Sequence, residues 1–389
     1  MEIPDVHPLS ADGPPALGEQ FRSLCSRHPG LLGSAIVVAI HLLATMATGL
    51  AAVLVGAPFT FWFRDTPILL LVTGLNVLFF GVVWDGCLVA IGLAAEWVRR
   101  RTGRPFAAGL SVEQMRGARF FTCGPWPTVI FLITAFSILG TSNITLISLK
   151  LLRGASEWRD PLFWALEGKI FEWLVRLPIQ TSLWDSLYHS SWTVLFFAVF
   201  VMTLMRRGSD LVLRYCVSMV MLFYSGRLIG LLTPVMGPAF YRPDLFAYLQ
   251  GSVSQSAIHY IETLMSLSPA AAMEKGGVLV GGVSAVPSLH VGMVMTTAIW
   301  LAVGWRKSLY VTVPWVLMIW TSTILLGWHY IVDGVGGLVL GGVCAWASQR
   351  LVQTILRLVA PHTPANRHLY SVNGSSARRL APSSSLPRE

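Results

Sequence analysis

Apolar runs long enough, or nearly so, to cross a bilayer recur along this chain, at roughly residues 31–56, 67–97, 125–149, 190–205, 211–234, 288–304, 309–329 and 334–358. A hydrocarbon core of about 30 Å calls for about 20 helical residues. The expected fold is therefore all-α, a polytopic integral membrane helix bundle of about eight spans, with the runs at 190–205 and 288–304 the shortest. Only 12% of the 389 residues are charged and 54% are hydrophobic, whereas a soluble domain carries about 25% charged residues. A disordered chain, a collagen and a disulfide scaffold are excluded on the same grounds.

The formal charge of +9 comes from 28 Lys and Arg against 19 Asp and Glu. It does not point to nucleic acid, because the basic residues form short clusters between apolar runs rather than one patch. Their distribution writes topology instead. With the amino terminus in the cytoplasm, 19 of the 28 fall inside, among them Arg99, Arg100, Arg101, Arg206, Arg207, Arg306 and Lys307. Eight fall outside (Arg64, Lys150, Arg153, Arg159, Lys169, Arg176, Arg242 and Lys275), and Arg227 lies within a run. The positive-inside rule then sets both termini in the cytoplasm. The five cysteines, Cys25, Cys87, Cys123, Cys216 and Cys344, lack metal-ligand spacing and read as packing residues.

Residues 1–30 mix acids and prolines without the basic start of a signal peptide and read as a polar cytoplasmic tail. Residues 31–124 hold two spans and a cytoplasmic loop, and 359–389, rich in Ser, Pro and Arg, read as a disordered basic tail. Residues 150–189 suit a helix lying at the membrane interface.

Two polar clusters stand at membrane borders. One is VSAVPSLHVG, with Ser288 and His290, and the other is STILLGWHYIVDGVGG, with His329 and Asp333. From His290 the chain crosses once and returns, so the 39-residue separation is one helical hairpin and both clusters meet the same face. His329 and Asp333 are four apart, so on a helix the carboxylate accepts from one imidazole nitrogen and leaves the other basic. That is a nucleophile with its orienting group. Pro287 and Ser288 mark a helix start, whose free N–H groups suit an anion. His290 in that first turn is placed to protonate a leaving oxygen. Each signal alone has a plainer reading, a hydrogen-bonded pair at a helix end. Tyr241, Tyr330 and Trp328 read as interfacial or packing aromatics, Asp185 and Tyr188 as pocket residues or as neither, and Gly334, Gly336 and Gly337 as close helix packing.

The two clusters resemble the motifs of the type 2 phosphatidic acid phosphatase (lipid phosphate phosphatase) superfamily, with PSLH as its second motif and STILLGWHYIVD as its third. Ser322 matches, and Thr323 stands where the family has arginine. The PSLH form and the upstream GPAFY are most similar to the inositol phosphorylceramide synthase-like branch, over residues 125–358. The resemblance implies a six-helix core and transfer through a phosphohistidine. His329 attacks phosphorus, Asp333 orients it, His290 protonates the departing alkoxide, and no metal or other cofactor takes part. The family's first motif is broken, since Arg242 and Pro243 keep its RP while Val235 replaces its lysine.

A phosphoryl transition state needs cations or dipoles around it. Arg242, Lys275 and Arg227 are the candidates, with Ser288 beside them as a substrate-binding residue. Lys275 is otherwise a solvated loop residue, and Arg227 either reaches the phosphate or pairs with a buried acid such as Asp85. The implied substrate is a lipid phosphate or phospholipid at the extracytoplasmic face of a bacterial plasma membrane. The acceptor is either water or an alcohol such as inositol or ceramide, and a single-charged phosphodiester suits the depleted cations. A lipid carrier or scaffold of the same fold without chemistry is the rival reading.

Overall fold

The computed structural model describes residues 29–102, 126–152, 158–204, 208–275 and 284–359. The expected tails, the loop around Arg116 and the Gly-rich run before Ser284 lie outside the described residues, apart from a few residues at their edges. Every regular element among the described residues is helical, and the chain is an all-α polytopic membrane protein.

The helices are α1 (Pro29–Val55), α2 (Thr66–Thr102), α3 (Trp126–Gly140), α4 (Ser142–Leu152), α5 (Asp160–Leu174), α6 (Thr181–Leu204), α7 (Gly208–Leu232), the single turn α8 (Pro238–Tyr241), α9 (Val253–Ser266), α10 (Pro269–Lys275), α11 (Leu289–Gly304), α12 (Leu309–Leu325) and α13 (Ile331–Val359). Six stretches among the described residues are long and apolar enough to span: α1, α2, α3 with α4, α7, α12 with the turn before it, and α13. The remaining two expected spans correspond to α6 and α11. At about 1.5 Å per residue, the 16 residues of α11 fall short of a full hydrocarbon core. Helix α6 has the length, at 24 residues, but its first half carries Asp185, His189, Ser190 and Ser191.

Large apolar side chains remain uncovered on α1 (Leu43, Met46, Leu54), on α2 (Leu71, Leu75, Phe79) and on α13 (Val339, Trp346). Such stripes are costly in water and natural against lipid tails, which are as apolar as leucine. Helix α11 is the opposite case. Val291, Met293 and Val294 are fully covered, because α11 packs against α6, α7 and α12. Helix α13 approaches it closely, since a Cβ on Gly341 would stand 2.6 Å from the carbonyl oxygen of Gly292 and 3.1 Å from Thr296 Oγ1. Only a glycine admits that approach.

Within the compact unit Pro29–Arg350, one end of the bundle is covered by short elements between the long helices. Phe171, Tyr188, Val235, Ala239, Phe246, Leu249, Trp328 and Tyr330 form a single buried layer there. The expected interfacial helix within 150–189 is α5. It belongs to this layer through Phe171, and the starts of α11 and α13 open onto the same end.

Candidate active site

Two helix starts build the site. Ser288 caps α11, its hydroxyl accepting from the N–H of Val291 at 3.4 Å, and His290 follows in the first turn. The start of α13 is capped from outside by Glu167 of α5, whose carboxylate accepts from Ile331 at 2.6 Å and Val332 at 3.0 Å. Such capping satisfies orphan N–H groups and places negative charge at the positive end of the helix. The two starts are tied directly, because the N–H of Ser288 donates to the carbonyl of Asp333 at 2.9 Å.

The turn from α12 into α13 carries His329. Gly327 sits at φ +69°, and a Cβ there would lie 2.6 Å from Ala239 Cβ. Its carbonyl accepts from Ala239 N at 2.9 Å, while Trp328 and His329 both donate to the carbonyl of Thr323, at 3.0 and 3.3 Å. Asp160, at the head of α5, accepts from the N–H groups of Met236 and Gly237 at 2.9 Å each and from the Tyr330 hydroxyl at 3.3 Å. Burial pushes its carboxyl above the usual range against the pull of those donors. Glu167 is raised as well, first by burial, with the Asp333 charge adding to it and the two N–H donors opposing.

His329 lies two residues before α13 rather than on it, so helical periodicity alone does not pair it with Asp333. The pairing comes from the cap. Asp333 Oδ2 reaches back to accept from the N–H of Tyr330 at 2.8 Å, the carboxylate half of a capping box, and this fixes it beside the imidazole. His329 Nδ1 is 3.6 Å from that oxygen, longer than a hydrogen bond. Both are buried, and neither His329 Nδ1 nor Asp333 Oδ1 has a hydrogen-bond partner among the described residues. His290 Nδ1 is 3.1 Å from the Tyr188 hydroxyl, and both His329 and His189 lie within electrostatic range of His290.

Residues 158–347 match the sequence model of the PAP2 superfamily. The match supports the PAP2 superfamily. No curated protein and no solved structure matches the chain significantly. The matched stretch starts just before Asp160 and ends within α13, so it takes in both histidine motifs and both acidic caps and leaves out α1 to α4. Over that stretch the chain is similar to the PAP2 superfamily, whose members are generally phosphatases acting on lipid phosphates.

Of the residues singled out in the sequence, Ser288, His290, His329 and Asp333 stand together at this junction. The three cations have other partners. Arg242 is half-buried and forks onto Asp244 at 2.9 and 2.7 Å, with Trp164 5.5 Å from its guanidinium. That pairing raises the guanidinium and lowers the Asp244 carboxyl. Lys275 lies 5.8 Å over the Tyr260 ring. Arg227 donates to Thr145 Oγ1 at 2.5 Å and to the Thr141 carbonyl at 3.5 Å. Thr323, at the family's arginine position, is fully buried and bonds the Trp320 carbonyl at 2.7 Å. Val235, at the lysine position, is also fully buried.

Sequence reasoning passed over Asp160 and Glu167. The pair Asp160–Pro161 is a helix-start signature, but nothing local says which distant backbone a carboxylate will cap. Trp328 and Tyr330, read as interfacial or packing aromatics, are buried. Trp328 stacks on Tyr188 at 5.7 Å and donates to Ser254, and Tyr330 fills the layer over Asp160. Of the two residues weighed for the pocket, Tyr188 touches His290. Asp185 instead caps α9 through Val253 and Ser254, at 2.8 and 3.1 Å.

Proposed function

We propose that this protein cleaves or transfers a phosphoryl or phosphodiester group of a membrane lipid through a phosphohistidine, in the manner of an inositolphosphotransferase. Residues 125–358 are taken as the catalytic core, with α1 and α2 outside it. The observation that carries the reading is the junction itself. Two histidines from separate motifs stand in one electrostatic neighbourhood over two helix starts joined by the Ser288–Asp333 bond. Of the two, the start of α11 can offer N–H donors to a phosphate, since the first N–H groups of α13 are held by Glu167 and Asp333, and preorganised donors are what a phosphoryl transition state needs.

In this reading Nδ1 of His329 faces Asp333, so Nε2 attacks phosphorus. The bond to the lipid oxygen breaks, and His290 gives that oxygen a proton. An acceptor hydroxyl then attacks the phosphohistidine, giving its proton to His290, and the N–P pair returns to His329. With water as acceptor the protein is a plain lipid phosphate phosphatase. Transfer to an alcohol such as inositol or ceramide is favoured by the cations, since Arg242, Lys275 and Arg227 all have other partners and a phosphodiester brings one negative charge where a monoester brings about two. The positive-inside count supports an extracytoplasmic site with both termini in the cytoplasm.

The test is a quench experiment on purified protein in nanodiscs with phosphate-labelled phosphatidic acid, and separately with labelled phosphatidylinositol. The expected result is an acid-labile, base-stable label on His329 that disappears in His329→Ala and is discharged by water or by added inositol. Turnover by His329→Ala above about one hundredth of the wild-type rate would remove His329 as the nucleophile.

A further inference from the structure

Tyr188 stands between the two histidine motifs. Its ring stacks on Trp328, the neighbour of His329, at 5.7 Å and 9°. Its other side meets the His290 imidazole at 4.2 Å, and its hydroxyl is 3.1 Å from His290 Nδ1. Trp192 closes the third side, edge-on to the same imidazole at 5.9 Å. Tyr188 is 6% exposed, so its hydroxyl has little water to bond. The sequence motifs contain no partner for His290, and this one comes from α6, 102 residues away.

We infer that Tyr188 is a positioning residue for the proton of His290, its hydroxyl oxygen accepting from Nδ1–H so that Nε2 is always the nitrogen that exchanges a proton with the reacting oxygens. The inference rests on the reading of the site given above. A general acid must be doubly protonated before it acts, and the anionic substrate favours that state. The imidazolium then holds Nδ1–H on Tyr188 and Nε2–H toward the leaving oxygen. As His329 Nε2 bonds to phosphorus and the P–O pair leaves with its oxygen, that oxygen takes the Nε2 proton. His290 is left neutral with Nδ1–H still on Tyr188. In the second half the bare Nε2 takes the proton of the attacking water or alcohol, and the imidazolium is restored. Tyr188 keeps its own proton throughout. Were Nδ1 free to exchange instead, the tautomer with its proton on Nε2 would present the wrong nitrogen to the acceptor.

This role has a signature that packing lacks. Acid assistance matters for an alkoxide leaving group and hardly at all for a nitrophenolate, which leaves without a proton. Tyr188→Phe keeps the ring stacked between Trp328 and His290 and removes only the hydroxyl. Measured as single-turnover formation of the phosphohistidine, the step that expels the leaving group, its rate on phosphatidic acid in mixed micelles is expected to fall by about 10- to 100-fold, while its rate on p-nitrophenyl phosphate changes by less than about threefold. Replacement of Tyr188 by a fluorinated tyrosine, a weaker acceptor with the same shape, should give an intermediate loss on phosphatidic acid alone. Equal losses on both substrates, or no loss on either, overturn the inference. His290→Ala run in parallel separates the two levels. If it lacks the leaving-group dependence, His290 is not the acid, and the reading of the site fails along with the role of Tyr188. If it has the dependence and Tyr188→Phe does not, only the role of Tyr188 fails.

Discussion

The main-chain N–H of Ser288 donates to the main-chain carbonyl of Asp333 at 2.9 Å, so the serine of one histidine motif is bonded to the last residue of the other. Neither side chain is used in that bond. Ser288 Oγ is left to cap α11, and the Asp333 carboxylate is left to reach back to Tyr330 and stand beside His329. A backbone tie of this kind fixes the relation of His290 to His329 without taking a polar atom from the chemistry.

Asp333→Asn is the direct test of the side-chain half of that arrangement. The amide can still accept from Tyr330, so the start of α13 survives, but it no longer offers a negative charge to the imidazolium that forms when His329 acts. Activity is expected to fall by about a hundredfold or more, with the thermal midpoint nearly unchanged. A thermal midpoint that drops along with activity would make Asp333 a capping residue first.

The bundle was readable from the apolar runs because hydrocarbon thickness sets helix length directly. The two histidines and Asp333 were readable because their motifs place them one hairpin apart. What spacing misjudged was how His329 meets Asp333, since the histidine precedes α13 and the contact depends on a cap. The supporting shell was hidden for another reason. Glu167 and Asp160 act on backbone more than 70 residues away, and a carboxylate that caps a distant helix looks in sequence like any interfacial acid. Tyr330 was misjudged similarly, because an aromatic at a membrane border is covered only if another segment folds over it.

Glu167 should therefore matter through α13. Loss of the two N–H acceptors in Glu167→Ala is expected to cost about 1 kcal/mol and to lower activity by loosening the turn that holds His329. Glu167→Gln keeps one acceptor oxygen and should lie between. The sign of the pH dependence follows from the raised carboxyl. Its proton-linked contribution is fully present below the ordinary glutamate value and is lost as pH rises through the folded value. The gap in thermal midpoint between wild type and Glu167→Gln is expected to be wider at acid than at neutral pH, and a gap that widens toward neutral pH would contradict the assignment.

Topology is open to labelling in cells. On a background without native cysteines, Arg306→Cys, in the turn before α12, should react with a membrane-impermeant maleimide only after permeabilisation. Lys275→Cys, at the end of α10, should react in intact cells. Both positions are exposed, so protection reports sidedness rather than burial. The reverse pattern would put the histidines on the cytoplasmic side and overturn the orientation drawn from the arginines.

Arg242 is the last case, because its geometry sets two demands against each other. Its guanidinium is held in a fork by Asp244, yet an exposed ion pair of this kind contributes only about 0–1 kcal/mol. Release toward a phosphate therefore costs little, and the fork that grips a carboxylate fits two phosphate oxygens equally well. If Arg242 serves the substrate, Arg242→Ala lowers kcat/KM by about tenfold or more, Arg242→Lys keeps part of the activity as a point charge, and Asp244→Asn, which frees the guanidinium, lowers KM. The three measurements are read together on one lipid substrate. If alanine and lysine at position 242 behave alike and stay within about threefold of wild type, and Asp244→Asn changes nothing, Arg242 is an interfacial ion pair. The N–H groups at the start of α11 and Arg227 would then be left to carry the phosphate charge.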